Sequence, residues 1–123
     1  MLCVASITWG FFIRHGDDPR NRFRIEVLNG TGEGGLAHRA RRGLLMKGID
    51  VIDARNATHF NYDESVLVAL REGFDVEELG RAIGCKNVIV QLTEEPLADA
   101  ALILGKDYRQ LRLDWDYRSD LSQ

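Results

Sequence analysis

The chain has 123 residues, a formal net charge of −3, and is 45% hydrophobic and 28% charged. That length holds one compact domain with appendages rather than two domains, and the composition excludes a disordered chain. The acidic balance excludes the overall basic field that draws nucleic acid, so none is expected as a partner.

The first thirteen residues, MLCVASITWGFFI, carry no charge and place Trp9, Phe11 and Phe12 just ahead of Arg14 and His15. As a helix they rise about 20 Å, short of the roughly 20 residues that cross a bilayer. The run reads as the C-terminal part of a membrane anchor whose start lies further upstream, with its aromatic residues at the interface. A signal-peptide core would lack its small-residue cleavage site here, and an ordinary core element is the plain alternative. Residues 17–21, DDPRN, then form a linker, so 1–22 is expected to be partial anchor and linker.

Phe23, Ile25 and Val27 alternate with Arg24 and Glu26, which predicts a first strand over 23–28. A helix is predicted over 33–47, with Leu36, Ala37, Ala40, Leu44 and Leu45 on one side and His38, Arg39, Arg41, Arg42 and Lys47 on the other, closed by Gly48. Residues 49–54 make a second strand, 55–64 a polar loop, and 65–70 (SVLVAL) a third strand. Asp75 with Glu78 three residues on is a capping box opening a second helix, with Val76, Leu79 and Ile83 inward and Gly84 at its end. Residues 87–92 and 100–104 are two more strands. The expected fold is α/β (α+β): a two-layer β-α-β-β-α-β-β sandwich with both helices on one face of a mixed sheet. Beyond it, Leu111, Leu113, Trp115 and Tyr117 alternate with charged residues in a tail (109–123), which reads as an edge strand or loose tail, or as a ribbon adding to a partner's sheet.

Gly30-Thr31-Gly32-Glu33-Gly34-Gly35 spells GxGxxG between a strand and a helix, and Asp53 ends the next strand. That is the dinucleotide fingerprint. Against it, Glu33 puts negative charge where a pyrophosphate would sit, no P-loop Lys-Ser/Thr follows, and too little chain remains for a second mononucleotide half. The structural reading is a turn: Asn29 and Gly30 reverse the chain, Thr31 caps the helix through its hydroxyl, and small residues let the helix lie close to the sheet.

The same residues resemble a family. "VLNGTGEGGLAHRARRGLLMKGIDVID" (27–53) looks like the opening of the LytR C-terminal domain, with strand, Asn-Gly-Thr-Gly and Gly-Leu-Ala helix. "LADAALILGKDY" (97–108) resembles its terminal strand with the Gly-Lys-Asp-Tyr signature, so the domain is expected over 23–108. The resemblance implies a bacterial cell-envelope domain on the extracytoplasmic side, often held by a single N-terminal membrane helix and often following a LytR-CpsA-Psr catalytic domain. No such catalytic constellation precedes Phe23, so the chain resembles a stand-alone member. Charge points the other way: Arg14, Arg20, Arg22 and Arg24 follow the apolar run, and the positive-inside bias alone would keep the domain cytoplasmic.

Reactive chemistry is not legible. His15, His38 and His59 are scattered without ligand spacing, Ser65 lacks a nucleophile elbow, and Asp63-Glu64 and Glu94-Glu95 are adjacent carboxylates that point apart. Cys3 and Cys85 form no disulfide framework and read as small apolar fillers. Arg39, Arg42, Lys47 and His38 make a basic helix face that is solvated by default. The expectation is a non-enzymatic envelope binding or scaffolding module without cofactor or metal. Its partners are envelope proteins or peptidoglycan-linked polymer, and its contact residues are Asn29, Gly30, Thr31 and Gly32 beside Lys106, Asp107 and Tyr108. The alternative is a phosphate- or nucleotide-binding enzyme fragment using the glycine loop.

Overall fold

The computed structural model describes residues 23–115. The expected anchor, the 17–21 linker and Tyr117 lie outside them. Five strands and two helices follow in chain order: β1 (Arg24–Asn29), α1 (Leu36–Met46), β2 (Asp50–Asn56), β3 (Val66–Ala69), α2 (Val76–Ile83), β4 (Val88–Val90) and β5 (Ala100–Leu104). A 3₁₀ turn, Tyr108–Gln110, comes after them.

The sheet order is β2-β1-β5-β3-β4. β1–β2, β1–β5 and β3–β4 are parallel and β3–β5 is antiparallel. The two strand-helix-strand halves therefore run in opposite directions, and the last strand is inserted between them. Its sequence, AALIL, explains the position. A strand paired on both sides and covered on a face needs a nearly continuous apolar run, and all of β5 except Ile103 is buried. Asp99 fastens its start: the carboxylate accepts from the Arg24 amide at 3.0 Å and pairs with Arg71, while its carbonyl accepts from the Leu70 amide at 2.9 Å.

One core joins both helices to the same sheet face. Ile25, Val27, Leu67, Leu102 and Leu104 from the strands meet Leu36, Ala40 and Leu44 of α1 and Leu79 and Ile83 of α2. The expected mixed two-layer sandwich is what the chain forms. At α2 the Asp75 carboxylate accepts from the Glu78 amide at 3.0 Å, which is the predicted N-cap. At the end of α1, Gly48 adopts φ +83° and the Ile49 amide reaches back to the Leu44 carbonyl, a Schellman closure.

Two expectations are corrected. Helix α1 begins at Leu36 rather than Glu33, and Thr31 does not cap it: the N-cap is Gly35 in a left-handed conformation, φ +77°, with no side-chain cap bond. The loop satisfies itself first, and only then can the helix start. The described part of the tail, 109–115, is neither an edge strand nor loose. After the 3₁₀ turn, Leu111, Leu113 and Trp115 are buried in the domain's own core, and the Arg112 amide bonds the Ile83 carbonyl at 2.8 Å at the end of α2. Alternation of apolar and charged residues does satisfy an extended chain with one buried face. That face meets helices, not a sheet edge.

Cys85 is buried beside that contact, its Sγ 3.4 Å from the Asn87 carbonyl. Burial pushes its thiol pKa up, with the nearby Asp107 charge acting in the same direction. The folded state thus holds the proton more tightly than the unfolded chain. Its stabilisation is fully present below the unfolded thiol's pKa and declines as pH rises past it. The thiol is expected to resist thiol-directed reagents at pH 7 until the protein is unfolded in urea, which a colorimetric thiol assay of a Cys3→Ser chain will read.

Candidate functional site

The carboxyl ends of β1, β2 and β5 converge at one end of the sheet, and both sequence motifs lie there. Asn29 closes β1 with its side chain buried. Buried polar groups must find partners, and this amide finds three. Its Oδ1 accepts from the Thr31 amide at 3.0 Å and the Thr31 hydroxyl at 2.7 Å, and its Nδ2 donates to the Glu33 carbonyl at 2.7 Å. Thr31 Oγ1 in turn accepts from the Glu33 amide at 3.0 Å. The turn is thus held from inside by one asparagine side chain.

Gly30 joins the two motifs. Its amide donates to the Leu104 carbonyl at 2.9 Å, and its own carbonyl accepts from the Tyr62 amide at 3.3 Å. A Cβ here would stand 2.5 Å from the Tyr62 ring and 2.8 Å from the Leu104 carbonyl oxygen. Gly30 therefore makes a close approach to the 57–64 loop and the end of β5, not the helix-to-sheet approach expected of the loop's small residues. At Gly34 and Gly35 a Cβ would meet nothing within 4 Å, and Gly35 is required instead by its positive φ.

The second motif makes a matching lock. Asp107 Oδ1 accepts from both the amide (2.7 Å) and the hydroxyl (2.9 Å) of buried Ser65, whose oxygen accepts from the Gly105 amide at 2.9 Å. Tyr108 is buried, stacked edge-on against Trp115 with ring centres 4.9 Å apart. Its hydroxyl donates to the Glu33 carboxylate at 3.1 Å, and Arg39 reaches the same carboxylate at 3.2 Å. Arg39 also donates to the Trp115 carbonyl at 3.1 Å. One acidic side chain of the glycine loop thus links the helix, the terminal motif and the tail.

Asn29, Gly30, Thr31 and Gly32 and Lys106, Asp107 and Tyr108 are brought side by side. Of their side chains, those of Asn29, Thr31, Asp107 and Tyr108 are engaged inward. Lys106 remains exposed, in an open pairing with Asp63 at 3.6 Å. The loop over 57–64 was expected, but its place beside the two motifs is what sequence reasoning missed. Its Ala57 and Tyr62 amides bond the carbonyls of Asn29 and Gly30, and its Tyr62 carbonyl accepts from Lys106. His59 stacks on Tyr62 at 4.7 Å, and Phe60 lies over Gly32 while 47% exposed. Three rings within four residues of an otherwise polar loop were the available signal.

A shallow cleft of about 370 Å³ adjoins this face, lined by Asn29, Gly35, His38, Arg55 and Asn56 among others. Asp53, the acidic residue of the dinucleotide fingerprint, is paired with Arg55 at 2.5 Å. Among the described residues no group of three His, Cys, Asp or Glu side chains could hold a metal ion, and no helix is long and apolar enough to cross a membrane.

Replacing Asn29 with Ala removes the buried side chain's three hydrogen bonds to Thr31 and Glu33. The expected loss is about 2 kcal/mol, read as a lower urea midpoint with an unchanged slope.

Comparison with known families matches residues 22–108 to the family described as LytR cell envelope-related transcriptional attenuator. Comparisons with curated proteins and with solved structures gave no match. The match runs from the start of β1 to Tyr108 and takes in both locking motifs, Asn29-Gly30-Thr31-Gly32 and Gly105-Lys106-Asp107-Tyr108. The chain belongs to the LytR C-terminal domain family, a cell-envelope-related family.

Proposed function

We propose that the domain is a non-enzymatic binding module of the cell envelope, tethered by its apolar N-terminal residues and contacting wall polymer or envelope proteins through the 29–35, 57–64 and 105–108 face. One observation supports this most: the polar side chains of Asn29, Thr31, Asp107 and Tyr108 are engaged with one another or with neighbouring Glu33 and Ser65, while His59 and Phe60 of the adjoining loop and the Lys106 side chain are left outside. A rigid platform carrying an exposed ring and a cation suits recognition of a sugar-rich anionic surface. The Ser65 hydroxyl is committed to the lock itself, donating to the Asp107 carboxylate and accepting from the Gly105 amide.

The test is cosedimentation of the detergent-solubilised chain with purified sacculi carrying their wall polymer. Wild type binds saturably, and Phe60→Ser with Lys106→Ala weakens binding about tenfold while circular dichroism stays unchanged. Absence of saturable binding to sacculi, with crosslinks from the Phe60 position to envelope proteins, makes the partner a protein. Absence of both overturns the reading.

The nucleotide reading has less support. Two amides of the glycine loop are taken by Asn29 and Thr31 side chains, and the Glu33 carboxylate is fixed at the loop's mouth. A Glu33→Ala chain is expected to gain no affinity for ATP or NAD by calorimetry.

A further inference from the structure

The sheet has two edges, and they differ in kind. The β2 edge carries a bulge, because the register shifts between Ile25 and Glu26 and leaves Ile52 extra. It is further guarded by Arg55, paired with Asp53 and Glu26. Bulges and charges are the usual devices that keep an edge from pairing. The β4 edge has neither within the strand. Ile89 is 48% exposed, Val90 64% and Leu92 48%.

Its backbone is also poised. The Leu67 amide bonds the Asn87 carbonyl and the Gln91 amide bonds the Ala69 carbonyl, so the odd-numbered residues face β3. Val88 and Val90 then turn their amides and carbonyls outward. Charge is asymmetric along the segment: Lys86 precedes the strand, and Glu94 and Glu95 follow it.

We propose that a second copy of this chain pairs antiparallel along β4, centred on Val90. In this register Val90 faces its own symmetry mate, Val88 faces Leu92, and Lys86 faces Glu94 at both ends. Outward backbone groups meet outward backbone groups. A shift to an Ile89 centre sets Lys86 against Leu92 and loses the charge match, and a shift by half that step pairs outward groups with inward ones. The twofold closes the assembly, since the remaining β2 edges are blunted, and yields a dimer rather than a fibre. This surface meets the motif face only at its Lys86 end, where Lys86 lines a cleft with Asp107 and the Asn87 side chain bonds Glu64. The pairing does not rest on the reading given for that face.

The test uses the full chain with Cys3→Ser to remove the N-terminal thiol. Paired Cα atoms at a hydrogen-bonded antiparallel site lie about 5.5 Å apart, within disulfide reach. Val90→Cys is expected to crosslink as a dimer under mild oxidation, and Asp53→Cys on the opposite edge to stay monomeric. Lys86→Glu turns two cross-strand pairs repulsive and slows crosslinking of Val90→Cys about tenfold, while adding Glu94→Lys restores it. A folded Val90→Cys chain that stays monomeric, or crosslinks no faster than Asp53→Cys, overturns the proposal. So does a charge swap that fails to restore the rate.

Discussion

A chain ending at Tyr108, the limit of the family match, is expected to be unfolded at 25 °C. Leu111, Leu113 and Trp115 are each buried to 8% exposure or less in the same core as α1 and α2. Burying side chains of this size stabilises by about 1.5–3 kcal/mol each, so removing the three costs roughly 7 kcal/mol. Whole domains are stable by only about 5–15 kcal/mol. The cut also removes the Trp115 carbonyl that Arg39 bonds, and it bares Gly43, against which Leu113 packs. Trp115→Ala in the full chain isolates one part of this, with an expected loss of about 3–4 kcal/mol. Far-UV circular dichroism on the shortened chain and a thermal melt of the variant check both.

Gly105→Ala is the second large effect. A Cβ at that position would lie 2.3 Å from the Glu64 carbonyl carbon, 2.6 Å from its oxygen and 2.7 Å from the Ser65 nitrogen. All three are backbone atoms within the Ser65–Asp107 lock, so no rotamer change relieves the overlap. The expected cost is about 3 kcal/mol, at the upper end of overpacking penalties, and the midpoint should fall by roughly 15 °C. Gly34→Ala is the control. Nothing lies within 4 Å of its added methyl and its φ is not positive, so it should be neutral or slightly stabilising. The signature glycine is thus required by a close approach of two chain segments.

The strands and helices were legible because their causes are local. Period-two alternation marked β1, a continuous apolar run marked β5, and the Asp75 cap marked α2. The insertion of β5 between two opposed halves was not legible, since strand order depends on pairings between residues such as Val68 and Ala101 that the sequence leaves far apart. Neither was the start of α1. Thr31 has the residue type of a helix cap, but Asn29 two residues earlier claims its hydroxyl and amide. At the site, the adjacency of the two motifs was anticipated, whereas their mutual locking was not. Ser65 read as a hydroxyl without catalytic context, and only the fold shows it held by Asp107 across 42 positions of sequence. The tail's apolar stripe was visible too. What it would cover depended on where the ends of α1 and α2 fell.

The most direct measurement is an amide NMR titration of the folded chain with ATP and with NAD up to millimolar concentration. If Asn29 and Thr31 hold the turn from within, the resonances of Gly30, Thr31, Gly32 and Glu33 stay in place, and the Asn29 side-chain NH₂ exchanges slowly. Saturable shifts confined to those amides, with the Asn29 NH₂ released, would contradict the account.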